Sequence, residues 1–202
     1  MKIICIGRNF TDHIEELDNQ KPKNPVIFMK PDTSLIQKNQ PFFTPAFSDD
    51  IHHEIELVIK INRIGKYIDQ KFAHKYYEDI TVGLDFTARD LQNDLKVKGL
   101  PWEKSKSFDG SALTGKWLNK NDFNLNNLNF HLNINNTLIQ QGNTSLMLWK
   151  IDEIISYVSQ FFTLKIGDLI FTGTPAGVSR VNKEDILEGF VEEIKCFQIK
   201  IK

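Results

Sequence analysis

The amino-acid sequence predicts an α+β fold that is rich in strands and carries few helices. Three observations lead there: period-two alternation of apolar and polar residues recurs along the chain, a 3.6-period stripe is clear at one place, and Gly and Pro are dispersed as turn punctuation without repeats or a linker. With 202 residues, 41% hydrophobic and 25% charged, the expectation is a single soluble domain over residues 1–202.

In chain order, Thr11 to Leu17 reads as a short helix, with Asp12 suited to the positive end of the helix dipole. In IHHEIELVIKI, a period of two places Ile55, Leu57, Ile59 and Ile61 on one strand face and Glu54 with Glu56 on the other. TVGLDFTARDLQ brings Asp85 to the end of a short apolar strand, with Arg89, Asp90 and Gln92 close behind. Leu128, Phe130, Leu132 and Ile134 alternate with polar partners, and Asn135-Asn136 suits a hairpin turn into Thr137 to Gln140. From about Ile151 to Phe162 a helix is expected, with Ile151, Ile154, Ile155, Val158, Phe161 and Phe162 on its core face. Phe197, Ile199 and Ile201 alternate with Gln198, Lys200 and Lys202 in a closing strand.

Composition narrows the function. Lys+Arg 25 against Asp+Glu 26 leaves a net charge of -1, so there is no electrostatic footprint for nucleic acid or an anionic membrane, and a small-molecule partner is expected. Cys5 and Cys196 lie near opposite ends with no CxxC spacing, which argues against a disulfide framework and a thiolate metal site. The run Ile3 to Ile6 is too short for a signal segment, and no apolar stretch approaches the length of a membrane span. The expected compartment is the cytoplasm.

Several segments carry candidate chemistry. Glu54 and Glu56, at i and i+2 on one strand face, are close enough to share a hard cation such as Mg²⁺ or Mn²⁺, although a solvent-facing edge with two solvated glutamates is the commoner outcome for such a segment. His52 and His53 lack the spacing of a histidine iron site and are read as supporting or structural. Asp85 is a third carboxylate or a turn cap, with Arg89 free to pair with Asp90 or a nearby acid. His13 and Glu16, three apart, share a face if that turn is helical, and a carboxylate that orients an imidazole makes it a better general base; a surface histidine beside acids is the plainer alternative. KGLPWEKSKSFDGSALTG reads as a mobile loop whose lysines Lys96, Lys98, Lys104 and Lys106 are mostly solvated, with one at its inner end able to meet an oxyanion or carboxylate. GDLIFTGTPAGV is a short strand ending in a Gly-rich turn without the GK[ST] of a P-loop, so it is either a tight turn or an anion cradle.

Together, CIGRNFTDHIEE, FMKPDTSLI, HHEIEL, GLDFTARDLQ, KGLPWEKSKSFDG and GDLIFTGTPAGV, in this order, resemble the short single-domain members of the fumarylacetoacetate hydrolase family, especially its acylpyruvase and oxaloacetate decarboxylase branch. The resemblance implies a β-rich roll with peripheral helices, commonly a homodimer. It makes Glu54, Glu56 and Asp85 the metal-binding carboxylates, with Mg²⁺ usual and Mn²⁺ tolerated, and His13 with Glu16 the catalytic dyad on a lid segment. Lys106 becomes the lysine that faces the substrate, and Arg8, Gln92, Gly173 and Thr174 the contacts to its carboxylate. Leu113 and Lys116 stand where the family often has prolines, so a different pocket wall is expected there. The implied activity is hydrolysis of an acylpyruvate through a metal-held enolate, with pyruvate released. Oxaloacetate decarboxylation and keto–enol isomerisation are the alternatives, and a non-catalytic oxo-acid or metal-binding protein is the rival of another class.

Overall fold

The computed structural model describes residues 1–11, 22–37 and 40–202; the expected helix at Thr11 to Leu17, with Asp12, His13 and Glu16, therefore lies outside the described residues except for Thr11. The main sheet runs in the order Val26–Lys30, Ile3–Gly7, Leu169–Phe171, Ile55–Ile61, Tyr77–Asp85 and Ala112–Thr114, with Leu118–Asn119 pairing on Tyr77–Asp85. A parallel pairing joins Ile3–Gly7 to Leu169–Phe171, and so ties the first strand to a segment near the other end of the chain. A second, antiparallel sheet runs Thr137–Asn143, Asn129–Ile134, Ile186–Val191 and Ile194–Lys200. A small third sheet sets Ile51–His53 between Ser179–Arg180 and Thr87–Ala88.

The main core fills the space between the two large sheets. Ile55, Leu57, Ile59 and Ile61 point there as the period-two pattern predicts, and they meet Phe130, Leu132, Leu187 and Ile199 from the second sheet. The opposite face of the main sheet is also covered, by a smaller cluster of Ile3, Cys5, Val58, Ala112, Leu169 and Phe171. Both faces of Ile55–Ile61 are thus dry except at the half-exposed Lys60, and this removes the solvent-facing reading of Glu54 and Glu56.

The hairpin forms at the expected residues. Asn135 and Asn136 adopt φ of 51° and 66°, the left-handed conformation that asparagine tolerates and that matches the twist of the paired strands. The helix is Ile151–Phe161, with Glu153 accepting the Lys150 amide at 2.7 Å to close its first turn. Ile151, Ile154, Ile155 and Val158 are buried, but Phe161 is 55% exposed, contrary to its expected place on the core face. The helix stops there: Phe162 is extended and donates its amide to Val158, and the Phe161 ring lies edge-on to Tyr157 at 5.3 Å instead. No helix among the described residues is long and apolar enough to cross a membrane.

Candidate active site

Strand register gathers the three acids. Ile55 pairs with Leu84 and Glu56 with Gly83, while the Asp85 amide donates to the Glu54 carbonyl at 2.9 Å, so the three carboxylates cluster at one end of the sheet's smaller face. Glu54, Glu56 and Asp85 are 4%, 2% and 0% exposed, and one oxygen from each lies within 4.8 Å of the others. Three carboxylates packed out of water repel one another and must be compensated.

Two of them are. Lys106, at the end of the short helix Glu103–Lys106, places Nζ 2.7 Å from Glu54 Oε2, 2.8 Å from Asp85 Oδ2 and 2.6 Å from Thr87 Oγ1. Burial works against this ammonium, yet the attraction of Asp85 and Glu54 outweighs it and holds its proton more tightly than usual. Arg89, at the start of the helix Arg89–Val97, reaches Glu54 Oε1 at 2.6 Å and Gln92 Oε1 at 2.6 Å, so it does not pair with Asp90, which accepts from Ser48 instead. Lys30 closes the far side: Nζ lies 2.8 Å from Asp85 Oδ1 and donates to the Lys106 carbonyl and to Ser111. Its contact with Oδ1 lacks hydrogen-bond geometry, so that buried oxygen keeps a lone pair with no directed donor among the described residues.

Glu56 is the exception. Among the described residues no cation stands at ion-pair distance from it; its Oε2 accepts the neutral Gly173 amide at 2.7 Å. Burial, then the charges of Asp85 and Glu54, push its carboxyl well above the ordinary range. Gly173 has φ of 100°, and a Cβ there would stand 2.7 Å from Asn9 Cβ, so only glycine can aim this amide at Glu56. The donor set, three hard oxygens at the right separation with one uncompensated carboxylate and one undirected lone pair, fits a divalent cation held by Glu54, Glu56 and Asp85.

A cavity opens in front of the carboxylates. It is lined by the three acids, by Arg8, Arg89, Lys96 and Lys106, by Gln92 and Thr174, and by an apolar wall that includes Phe28 and Trp102. Arg8 reaches it from a left-handed turn, φ 59°, directly after strand Ile3–Gly7. Gln92 gives its carbonyl to Arg89, which leaves its NH₂ donors for a ligand. Arg8, Gln92, Lys106 and Thr174 therefore come together around the acids, and Gly173 faces Glu56 behind them. Leu113 and Lys116 do not line the cavity: Leu113 pairs with Leu84 in the sheet and the Lys116 amide donates to Cys196, so neither alters its wall.

Lys96 is not solvated as the sequence suggested. It is half-buried over the Trp102 ring, and burial, with Arg89 and Arg8 nearby, lowers its pKa to about 8. Lys30 and Gln140 also escaped the sequence reading; the signal for Lys30 was a lone lysine ending the apolar run VIFMK. His53 is the deeply buried histidine of the pair, with a pKa lowered to about 4 by burial, and His52 bonds Asp50; neither belongs to the carboxylate cluster.

Comparisons with known proteins find relatives along almost the whole chain. The family described as fumarylacetoacetate (FAA) hydrolase C-terminal matches residues 2–201. The mitochondrial oxaloacetate tautomerase of Bos taurus is 37% identical over 201 residues, covering 99% of this chain and 91% of that protein. The mitochondrial oxaloacetate decarboxylase of Dictyostelium discoideum is 40% identical over 189 residues, covering 93% and 87%. The crystal structure of fumarylpyruvate hydrolase from Pseudomonas aeruginosa, in complex with Mn²⁺ and pyruvate, superposes with a TM-score of 0.93 at 30% identity, covering 100% of this chain and 89% of that one.

Proposed function

The chain belongs to the fumarylacetoacetate hydrolase family, with that family's β-rich roll, and from this premise we propose that it is a divalent-metal-dependent enzyme acting at C3 of a small 2-oxo dicarboxylate, with oxaloacetate the first candidate. The observation that carries the proposal is the buried cluster of Glu54, Glu56 and Asp85. Glu54, Glu56 and Asp85 would hold Mg²⁺ or Mn²⁺, and the ion would supply Lewis-acid polarisation of a 2-oxo acid.

The chain's own residues do the rest. Among the described residues, four cations line the cavity, Arg8, Arg89, Lys96 and Lys106, against three carboxylates. Once the acids are matched by a divalent ion, this surplus suits a substrate with two carboxylates better than a neutral acyl group. Arg8 and the Gln92 NH₂ bind and orient the substrate, and Lys106 meets negative charge that develops on oxygen as a proton or CO₂ leaves. His13, oriented by Glu16, moves the proton at C3 or activates water; both residues enter this proposal from the sequence alone. Phe28 and Trp102 help to exclude bulk water.

Hydrolysis of an acylpyruvate is the second reading. It is supported by the similarity to fumarylpyruvate hydrolase and by the His13–Glu16 pair, which decarboxylation does not need for attack by water. A panel of oxaloacetate, its enol, acylpyruvates and fumarylpyruvate with Mg²⁺ or Mn²⁺, following substrate loss and pyruvate separately, decides among them. The mutants divide the chemistry: His13→Ala abolishes hydrolysis and spares much of a decarboxylation, whereas Glu54→Ala abolishes both. Equal loss of decarboxylation in both variants contradicts this division. Tight oxalate binding without turnover of any of these acids sinks the enzymatic reading in favour of a binding protein.

A homodimer in the cytoplasm completes the proposal. Cys5 and Cys196 are free and buried, as a reducing compartment allows; sedimentation and cell fractionation test the two statements, with the mitochondrion of the named relatives as the rival compartment.

A further inference from the structure

The hydrogen-bond network built on Gln140 determines its own proton positions. Gln140 is 1% exposed and sits at a bulge in Thr137–Asn143, the edge strand of the second sheet, from which its amide reaches Thr174 behind the cavity wall. The Ile55 amide, a group that can only donate, lies 3.1 Å from Oε1; the Pro175 carbonyl, which can only accept, lies 2.8 Å from Nε2. These two backbone groups fix which end of the side-chain amide is oxygen.

Two consequences follow. His53 Nδ1, 3.1 Å from the same Oε1, must carry a proton, so the neutral ring accepts the Ser179 hydroxyl through Nε2 at 2.8 Å. On the other arm, Gln140 Nε2 donates to Thr174 Oγ1 at 2.8 Å. Thr174 therefore cannot give its own hydroxyl proton to Gln140, and no other described residue accepts it, so that proton is free for the cavity Thr174 lines.

We infer that Gln140 is a positioning residue that turns the Thr174 hydroxyl into a dedicated donor for a ligand carboxylate, while its other arm holds the Ile55 backbone between the carboxylates of Glu54 and Glu56. One amide thus ties the ligand side of the cavity to the metal side. The inference rests on the oxo-acid reading of the cavity.

Replacement by glutamate separates the arms, because the ionised carboxylate of Gln140→Glu can still accept from Ile55 and His53 but has no proton to donate to Thr174. The test is calorimetric binding of pyruvate at saturating Mn²⁺, beside Mn²⁺ binding without pyruvate. Gln140→Glu and Thr174→Val are each expected to weaken pyruvate binding about tenfold. The double variant is expected to lose no more than either, and Gln140→Glu to leave Mn²⁺ affinity unchanged. A merely structural role would lower Mn²⁺ and pyruvate affinity together and would make the two losses additive; either result overturns the inference. If Thr174→Val is weak but Gln140→Glu binds as native, the inference fails and the reading of the turn stands. If Thr174→Val itself binds as native, the turn is no ligand site and both fall. Nitrogen NMR of His53 in the native protein needs no variant: the Nδ1–H tautomer supports the network, and the Nε2–H tautomer overturns it.

Discussion

Apart from the half-exposed Lys60, strand Ile55–Ile61 has two dry faces built in different ways. One sends Ile55, Leu57, Ile59 and Ile61 into a continuous apolar core. The other carries Val58 among a few apolar neighbours and then, at its end, Glu56 beside Glu54 and Asp85. The first face is held by packing, where each methylene adds transfer and dispersion energy. The second is held by charges that compensate one another at considerable desolvation cost, and one of them, Glu56, has no cation partner among the described residues. A face so expensive to dry is explained by what it holds for chemistry and not by stability.

The sharpest way to break this contrast is Glu56→Gln. Turnover is expected to fall roughly a thousandfold or more, since a bound metal supplies several kcal/mol of transition-state stabilisation. The melting temperature of the metal-free protein should hold or rise, because a buried carboxyl disfavoured by burial and by Asp85 and Glu54 is removed. A calorimetric scan that shows a clear fall would mean that Glu56 is structural and erase the distinction.

Lys30→Met should do the opposite in kind. Its side chain is fully buried against Asp85, and removing one partner of a buried pair costs about 3–5 kcal/mol, read by urea unfolding without metal. Leu57→Ala tests the apolar face: about 2–5 kcal/mol of stability is expected to go, with Mn²⁺ affinity in the folded protein unchanged. A loss of Mn²⁺ binding in that variant would show that the two faces are coupled through the strand.

The smallest effect belongs to Lys96. Its folded pKa of about 8 means that the ammonium is present below that pH and is lost as pH rises through it. Burial first, then Arg89, Arg8 and Lys106, push its proton off and Glu54 holds it on, with the Trp102 ring beside it. For an anionic substrate KM should therefore climb above pH 8 in the native enzyme, and Lys96→Gln should flatten that limb while raising KM at pH 7. An unchanged profile in the variant would remove Lys96 from substrate binding.

Much of the fold was legible in the sequence. The Asn135-Asn136 hairpin, the closing strand and most of the Ile151 helix appear where alternation and turn chemistry put them. Phe161 was misplaced because periodicity gives an angle around a helix but not where the supporting core ends. Within the candidate site, alternation put Glu54 and Glu56 on one strand face, and the family resemblance, not periodicity, implied that Asp85 joins them. Lys30 and Gln140 were not legible, since a lysine at the end of VIFMK and a glutamine at a bulge look like ordinary surface residues until something is packed over them.

By itself, the sequence determined the faces of the strands, the stripe of the helix and the turn between the hairpin strands, because these depend on backbone periods of two and 3.6 residues and on local φ preference. Only the tertiary structure decided which cation meets which acid: Arg89 is 35 residues from Glu54, Lys106 is 52 from it, and Lys30 and Lys106 converge on Asp85 from different elements. Coulomb energy and hydrogen bonding act over a few ångströms whatever the distance along the chain, so these partnerships exist only once strand register and burial have brought the groups together.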